Sequence, residues 1–143
     1  MKGLLLDTCA LSEKLQKNPD AGFVKWLDAQ DVDELYVSVI SVGEISKGIE
    51  LLPDSKKKTL LDQWFTKQFL PFFDGRILHF KREEAIKWGK LFASCQLKGD
   101  KPPAIDCLIA ATALTNNMAI VTRNERDFRA FEVEVINPWD ALP

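Results

Sequence analysis

Gly3-Leu4-Leu5-Leu6-Asp7-Thr8, close to the start of the chain, is an unbroken apolar run closed by an acid and a hydroxyl. Apolar residues in succession, without alternation, describe a strand buried on both faces, as in a parallel sheet covered by helices on either side. A strand is therefore expected at 3–6, and a helix at 8–16 directly after Asp7. A second helix is expected at 20–30, with Phe23, Trp26 and Leu27 on one face. Leu35-Tyr36-Val37-Ser38-Val39 gives a second strand. Val42, Ile45, Ile49 and Leu52 then recur at helical spacing up to Pro53.

The same alternation runs to the end of the chain. A longer helix is expected at 55–70, stopped by Pro71, with Leu60, Leu61, Trp64, Phe65 and Phe69 forming an apolar face wide enough for a partner as well as the core. A strand at 76–80 and a helix at 82–97 follow. Lys98-Gly99-Asp100-Lys101-Pro102-Pro103 is a loop whose prolines open the next helix. That helix, 104–114, is almost wholly apolar and so central. A strand at 118–122, a short helix at 124–131 and a strand at 133–136 complete the series. Short strands alternating with helices specify an α/β fold with a central, largely parallel sheet flanked by helices. No repeat or linker interrupts it, so residues 1–143 are taken as one domain.

Composition narrows the function by exclusion. With 46% hydrophobic and 28% charged residues the chain is an ordinary globular protein, and its net charge of -2 offers no bulk attraction to a polyanion. Contact with nucleic acid must come from local basic groups or a bound cation. Lys56-Lys57-Lys58 is expected to be a solvated helix face. Cys9, Cys95 and Cys107 show no zinc spacing, and His79 is the sole histidine, which leaves no His-based metal site. The cysteines are expected to pack as small apolar groups in a reducing compartment. The N-terminal apolar run is too short for a signal peptide, and no stretch reaches the ~18 apolar residues of a membrane span. A cytoplasmic location without membrane contact is the expectation.

Three acids stand where strands give way to helices, Asp7, Glu44 and Asp127, and Asp106 joins them from the start of its own helix. Ligands of open parallel sheets bind beyond the carboxyl ends of the strands, where such turns gather. Four convergent carboxylates repel one another unless a cation lies between them, and hard oxygen donors suit Mg²⁺ or Mn²⁺. Each acid also fits a helix cap. Ser41-Val42-Gly43-Glu44 has the spacing of a capping box, Asn124-Glu125-Arg126-Asp127 offers a similar cap, and Asp7 and Asp106 lie at helix starts. Asp106 fits that alternative least well, because Ile105, Cys107, Leu108 and Ile109 surround it and its helix carries no basic partner. Arg123, Arg126 and Arg129 flank the acidic edge, and Arg123 is a candidate contact to an RNA phosphate.

These segments resemble the PIN-domain ribonucleases, and among them the VapC-type toxins of toxin–antitoxin pairs. Leu4-Leu5-Leu6-Asp7-Thr8 is similar to the opening motif of that family, and Ser38-Val39-Ile40-Ser41-Val42-Gly43-Glu44-Ile45 with Gly48 to the second. Ile105-Asp106-Cys107-Leu108-Ile109-Ala110-Ala111-Thr112-Ala113-Leu114 matches the third, and Val121-Thr122-Arg123-Asn124-Glu125-Arg126-Asp127-Phe128 the last. Cys9 replaces a residue that is often Asn, and Ser41 one that is often Thr. The resemblance implies a PIN-like three-layer domain and metal-dependent endoribonuclease activity, with Asp7 and Asp106 as first ligands and Glu44 and Asp127 holding a second ion or orienting water. Thr8, Ser38, Thr122 and Asn124 would support them by hydrogen bonds. It also implies a homodimer, an RNA substrate and a small antitoxin partner. Two alternatives remain open: a PIN nuclease of RNA processing, and a non-catalytic binding module whose acids are helix caps. No GxGxxG follows the first strand, so a dinucleotide site is not expected.

Overall fold

A computed structural model describes residues 3–13 and 15–140. Five strands, β1 (Leu4–Leu6), β2 (Leu35–Ser38), β3 (Ile77–Leu78), β4 (Ala119–Val121) and β5 (Val135–Ile136), form one sheet in the order β3-β2-β1-β4-β5. Every neighbouring pair is parallel. The apolar run at the start of the chain is thus the central strand, with Leu5 opposite Tyr36 on one side and Ile120 on the other.

Because side chains alternate along a strand, β1 feeds two cores. Leu4 and Leu6 join Val37, Val121 and Phe23 on one face, while Leu5 joins Ile120, Ile109 and Phe128 on the other. The first face is covered by α1 (Thr8–Glu13), α2 (Ala21–Asp28), α3 (Val39–Glu50), α4 (Lys56–Trp64) and α5 (Leu70–Phe72). The second is covered by α6 (Arg82–Leu97) and α7 (Ala104–Thr115), with Phe128 from α8 (Glu125–Phe128). Helices on both faces of a parallel sheet make the three layers expected from the sequence. Among the described residues, no helix is long and apolar enough to cross a membrane.

Boundaries depart from expectation where tertiary bonds override local pattern. The helix expected at 8–16 occupies Thr8–Glu13, residue 14 lying outside the described residues. Asp20 caps α2 by accepting the Phe23 N–H at 2.9 Å. The strand at 76–80 contracts to two residues, as does the one at 133–136. Helix 124–131 tightens into a 3-10 turn from Arg129. Proline 71 does not end its helix. Its ring crowds the carbonyl four residues back, yet the chain widens into a π-helical turn over Phe65–Phe69 and stays helical through Phe72. Phe65 and Phe69 are buried in the core and Leu61 and Trp64 are half-buried against it, which leaves Leu60 as the exposed residue of the apolar face expected to be wide enough for a partner.

Arg76 locks the end of that helix to the sheet. Its Nη1 donates to the carbonyls of Val32 and Leu35, each at 2.7 Å, and its Nη2 to that of Phe72. The guanidinium also lies over the Phe72 and Phe73 rings, 4.9 and 5.2 Å from their centroids. Arg76→Ala is expected to lower the unfolding free energy by about 2 kcal/mol in urea titrations, because three carbonyls lose a charged donor. Arg76→Lys should recover less than half of that, since an ammonium cannot fork between them. Equal urea midpoints for all three proteins would show that the fork contributes nothing.

Candidate active site

Parallel pairing puts the carboxyl ends of β1, β2 and β4 side by side, and the acids follow from those ends. The Asp7 N–H donates to the Val121 carbonyl at 3.1 Å, continuing the β1–β4 ladder one residue beyond the strand. The side chain of Asp7 is 5% exposed. Its Oδ1 accepts the Ala10 N–H at 3.0 Å and the Cys9 thiol at 2.9 Å. Burial pushes the Asp7 carboxyl above its usual range despite these bonds and a further one from Thr122. Asp7 does cap α1, and the cap holds it at the edge.

Glu44 does not cap a helix. Ser38 is the N-cap of α3, accepting the Ile40 N–H at 3.0 Å, so the helix opens three residues earlier than the Ser41 spacing implied. Glu44 therefore lies in the second turn, half-buried, and accepts the Thr8 hydroxyl at 2.5 Å. Thr8 Oγ1 also stands 3.3 Å from Ser41 Oγ. Ser38 and Ser41 are both fully buried. Ser38 thus supports the site at one remove, by fixing the helix that carries Glu44. Ser41, read from the sequence as a helix cap, instead supports the site through its contact to Thr8.

Helix α7 runs back along the second face, and Asp106 sits in its first turn. Pro103 is the N-cap and makes no side-chain bond there. Among the described residues, none donates a hydrogen bond to the half-buried Asp106 carboxylate. Its pKa is raised to about 6 by burial first, then by the charges of Asp127, Asp7 and Glu44. All four acids predicted from the sequence therefore lie within electrostatic reach of one group.

Asp127 lies half-buried on α8, whose N-cap, Asn124, makes no side-chain cap bond. Thr122 is fully buried and its hydroxyl accepts the Asn124 N–H at 3.0 Å, setting the turn between β4 and α8. Arg123 and Asn124 are exposed beside it. Cys9 corrects the expectation that all three cysteines are inert packing. Cys95 and Cys107 are buried in the second core, but Cys9 donates to Asp7, touches Thr122 Oγ1 at 3.6 Å and accepts the Arg123 N–H at 3.5 Å. Its thiol is pushed up to about 12, by burial and then by the Asp7 charge, so it is a protonated donor.

The donor set fits a hard divalent cation: carboxylates and hydroxyls, with the nearby thiol protonated. As oriented, no three of the described acids close on a common point, Glu44 being turned onto Thr8 and Asp7 onto Ala10 and Cys9.

The model of the PIN domain matches residues 4–134. The chain belongs to the PIN-domain family. This PIN domain is 37% identical over 136 residues to Toxin FitB of Neisseria gonorrhoeae, across 95% of this chain and 98% of that protein. It is 32% identical over 137 residues to the VapC ribonuclease Y4jK of Sinorhizobium fredii, across 96% of this chain and 98% of the relative. The structure of FitAB bound to a DNA fragment matches this PIN domain with a TM-score of 0.90 at 38% identity, covering 95% of both chains. The five-stranded parallel sheet between helices is therefore the PIN fold.

The repulsion at Asp106 has a thermodynamic sign. A carboxyl whose folded pKa is raised, about 6 against 3.8, binds its proton more tightly in the folded protein than in the unfolded chain. Its contribution therefore opposes folding at neutral pH and is relieved as pH falls from about 6 toward 4. Asp106→Asn is expected to stabilise the metal-free PIN domain at pH 7.5 by about 1 kcal/mol, after a discount for solvent screening. The gain should vanish by about pH 4. Urea titrations at the two pH values test this, and a variant less stable than the parent at pH 7.5 would refute the repulsion.

Proposed function

We propose that this PIN domain is a divalent-metal-dependent endoribonuclease that hydrolyses RNA phosphodiester bonds, as the toxin of a toxin–antitoxin pair. The observation that carries the reading is Asp106, a half-buried carboxylate with three acidic neighbours and no hydrogen-bond donor among the described residues. A helix cap would have a backbone donor, whereas a metal ligand keeps its oxygens free. The similarity to proteins named as a toxin and as a VapC ribonuclease supports the same reading.

In this reading Asp7 and Asp106 hold Mg²⁺ or Mn²⁺ directly, and Glu44 and Asp127 hold a second ion or orient the attacking water. The cation, when bound, lowers the pKa of its water and offsets charge on the scissile phosphate. Thr8 steers the Glu44 carboxylate, while Cys9 and the Ala10 N–H fix one oxygen of Asp7. Thr122 shapes the turn that presents Asn124, and Arg123 meets a substrate phosphate. A cytoplasmic location, a homodimer and a small antitoxin follow from the family resemblance. The alternative in which the acids serve only as caps fits Asp7 alone, because Glu44, Asp106 and Asp127 make no cap bond.

The test is cleavage of a mixed cellular RNA sample by purified protein with Mn²⁺, with excess EDTA, and with Asp106→Asn. Cleavage is expected only for the parent with metal, with a loss of at least about a hundredfold in the variant. Calorimetric titration with Mn²⁺ should show binding to the parent that Asp106→Asn weakens. Metal-dependent cleavage that survives in the variant would sink the assignment of Asp106.

A further inference from the structure

Asp127 shares its turn with three arginines at a spacing of three, Arg123, Arg126 and Arg129. All three are exposed, and with Asn124, Glu125 and Asp127 they line an open depression of about 430 Å³. Only Arg126 lies on α8, with Arg123 before its N-cap and Arg129 opening the 3-10 turn, but all three line the same depression, so their charges repel. Among the described residues none of the three forms an ion pair. The neighbouring acid Glu125 accepts instead from Asn137 Nδ2 at 3.1 Å. The unneutralised positive charge sits beside Asp127, whose own charge reaches Asp106.

Arg123 is also held in place. Its guanidinium carbon lies 5.9 Å from the Trp139 ring centroid. That ring stacks on Phe23 at 4.5 Å, and its Nε1 donates to Glu13 Oε1 at 2.7 Å. The Trp139 N–H in turn donates to Asn137 Oδ1 at 3.0 Å, so the residue that occupies Glu125 also seats the tryptophan. An aromatic platform fixes the cation while leaving its donors open.

We infer that the Arg123–Arg126–Arg129 depression is a phosphate-binding subsite for an RNA strand, seating backbone phosphates next to the one held at the acidic edge, with Trp139 as the positioning residue for Arg123. The inference rests on the ribonuclease reading and adds the side from which the strand approaches. A chain of net charge -2 needs local positive charge to attract a polyanion, and this depression places it against the acids.

The experiment measures anisotropy of a labelled, mixed-sequence single-stranded RNA in Mn²⁺, in the Asp106→Asn background to suppress cleavage, over a series of salt concentrations. Arg126→Gln/Arg129→Gln is expected to weaken binding about tenfold and to flatten the slope of log K against log salt by about 1.4, near 0.7 for each phosphate contact. Arg126→Lys/Arg129→Lys should restore the slope, since the charge returns. Trp139→Phe, which keeps the ring on Phe23 but removes the Nε1–H given to Glu13, should weaken binding less than Arg123→Gln. Mn²⁺ titrations of otherwise unmodified protein should be the same with and without the two Gln substitutions. Unchanged affinity and slope in the double Gln variant, in a background that binds RNA, would overturn the subsite alone. Failure of the background protein and the unmodified parent to bind RNA at any salt would overturn the ribonuclease reading itself.

Discussion

The ladder that pairs β1 with β2 and β4 is the constraint on which the rest of the molecule depends. A parallel strand in the middle of a sheet must be covered on both faces, so Leu4, Leu5 and Leu6 recruit two separate cores. The same pairing aligns the carboxyl ends of three strands far apart in sequence. The Asp7 N–H carries the ladder one residue past the last leucine, to the Val121 carbonyl. An acid placed there cannot retreat into solvent without breaking a sheet bond. Glu44 and Asp127 follow from the helices that leave β2 and β4, and α7, returning on the second face, brings Asp106.

Holding four acids together costs stability, and the protein answers differently at each. Asp7, nearly buried, is surrounded by donors: a backbone amide, a protonated thiol and a buried hydroxyl. Glu44 is tied to Thr8. Asp106 receives nothing from the described residues and is raised to about 6 instead. The uneven distribution has a chemical reading. Donors hold the Asp7 and Glu44 carboxylates in fixed orientations, while the Asp106 charge is left to repel its acidic neighbours.

At opposite ends of the sheet a guanidinium lies on aromatic surface. Arg76 ties the π-widened helix to the start of β2 and lies over Phe72 and Phe73, and Arg123 lies over Trp139 at the acidic edge. The first arginine is consumed by three carbonyls and is structural. Among the described residues, none accepts from the guanidinium of the second. The distinction lies in what each guanidinium can still bind.

Much of this was legible before any coordinates. The apolar run closed by Asp7, the alternation of strands and helices, and the four acids near helix starts are local patterns, and local patterns report local structure. The parallel sheet and the gathering of Asp7, Glu44, Asp106 and Asp127 follow from them through the geometry of open sheets. Other features had no local signal. Ser41-Val42-Gly43-Glu44 has the spacing of a cap, yet Ser38 holds that place because β2 ends one residue earlier than its apolar run. Pro71 has the chemistry of a stop, yet buried Phe65 and Phe69 keep the chain helical past it. Cys9 looked like packing until the fold set it between Asp7 and Thr122, residues separated by more than a hundred positions. The sequence by itself determined which residues form strands and helices and which carry charge, because period and residue type act over a few positions. Only the tertiary structure decided which acids are satisfied and which receives no donor from the described residues, because hydrogen bonding, burial and charge repulsion are set by neighbours in space.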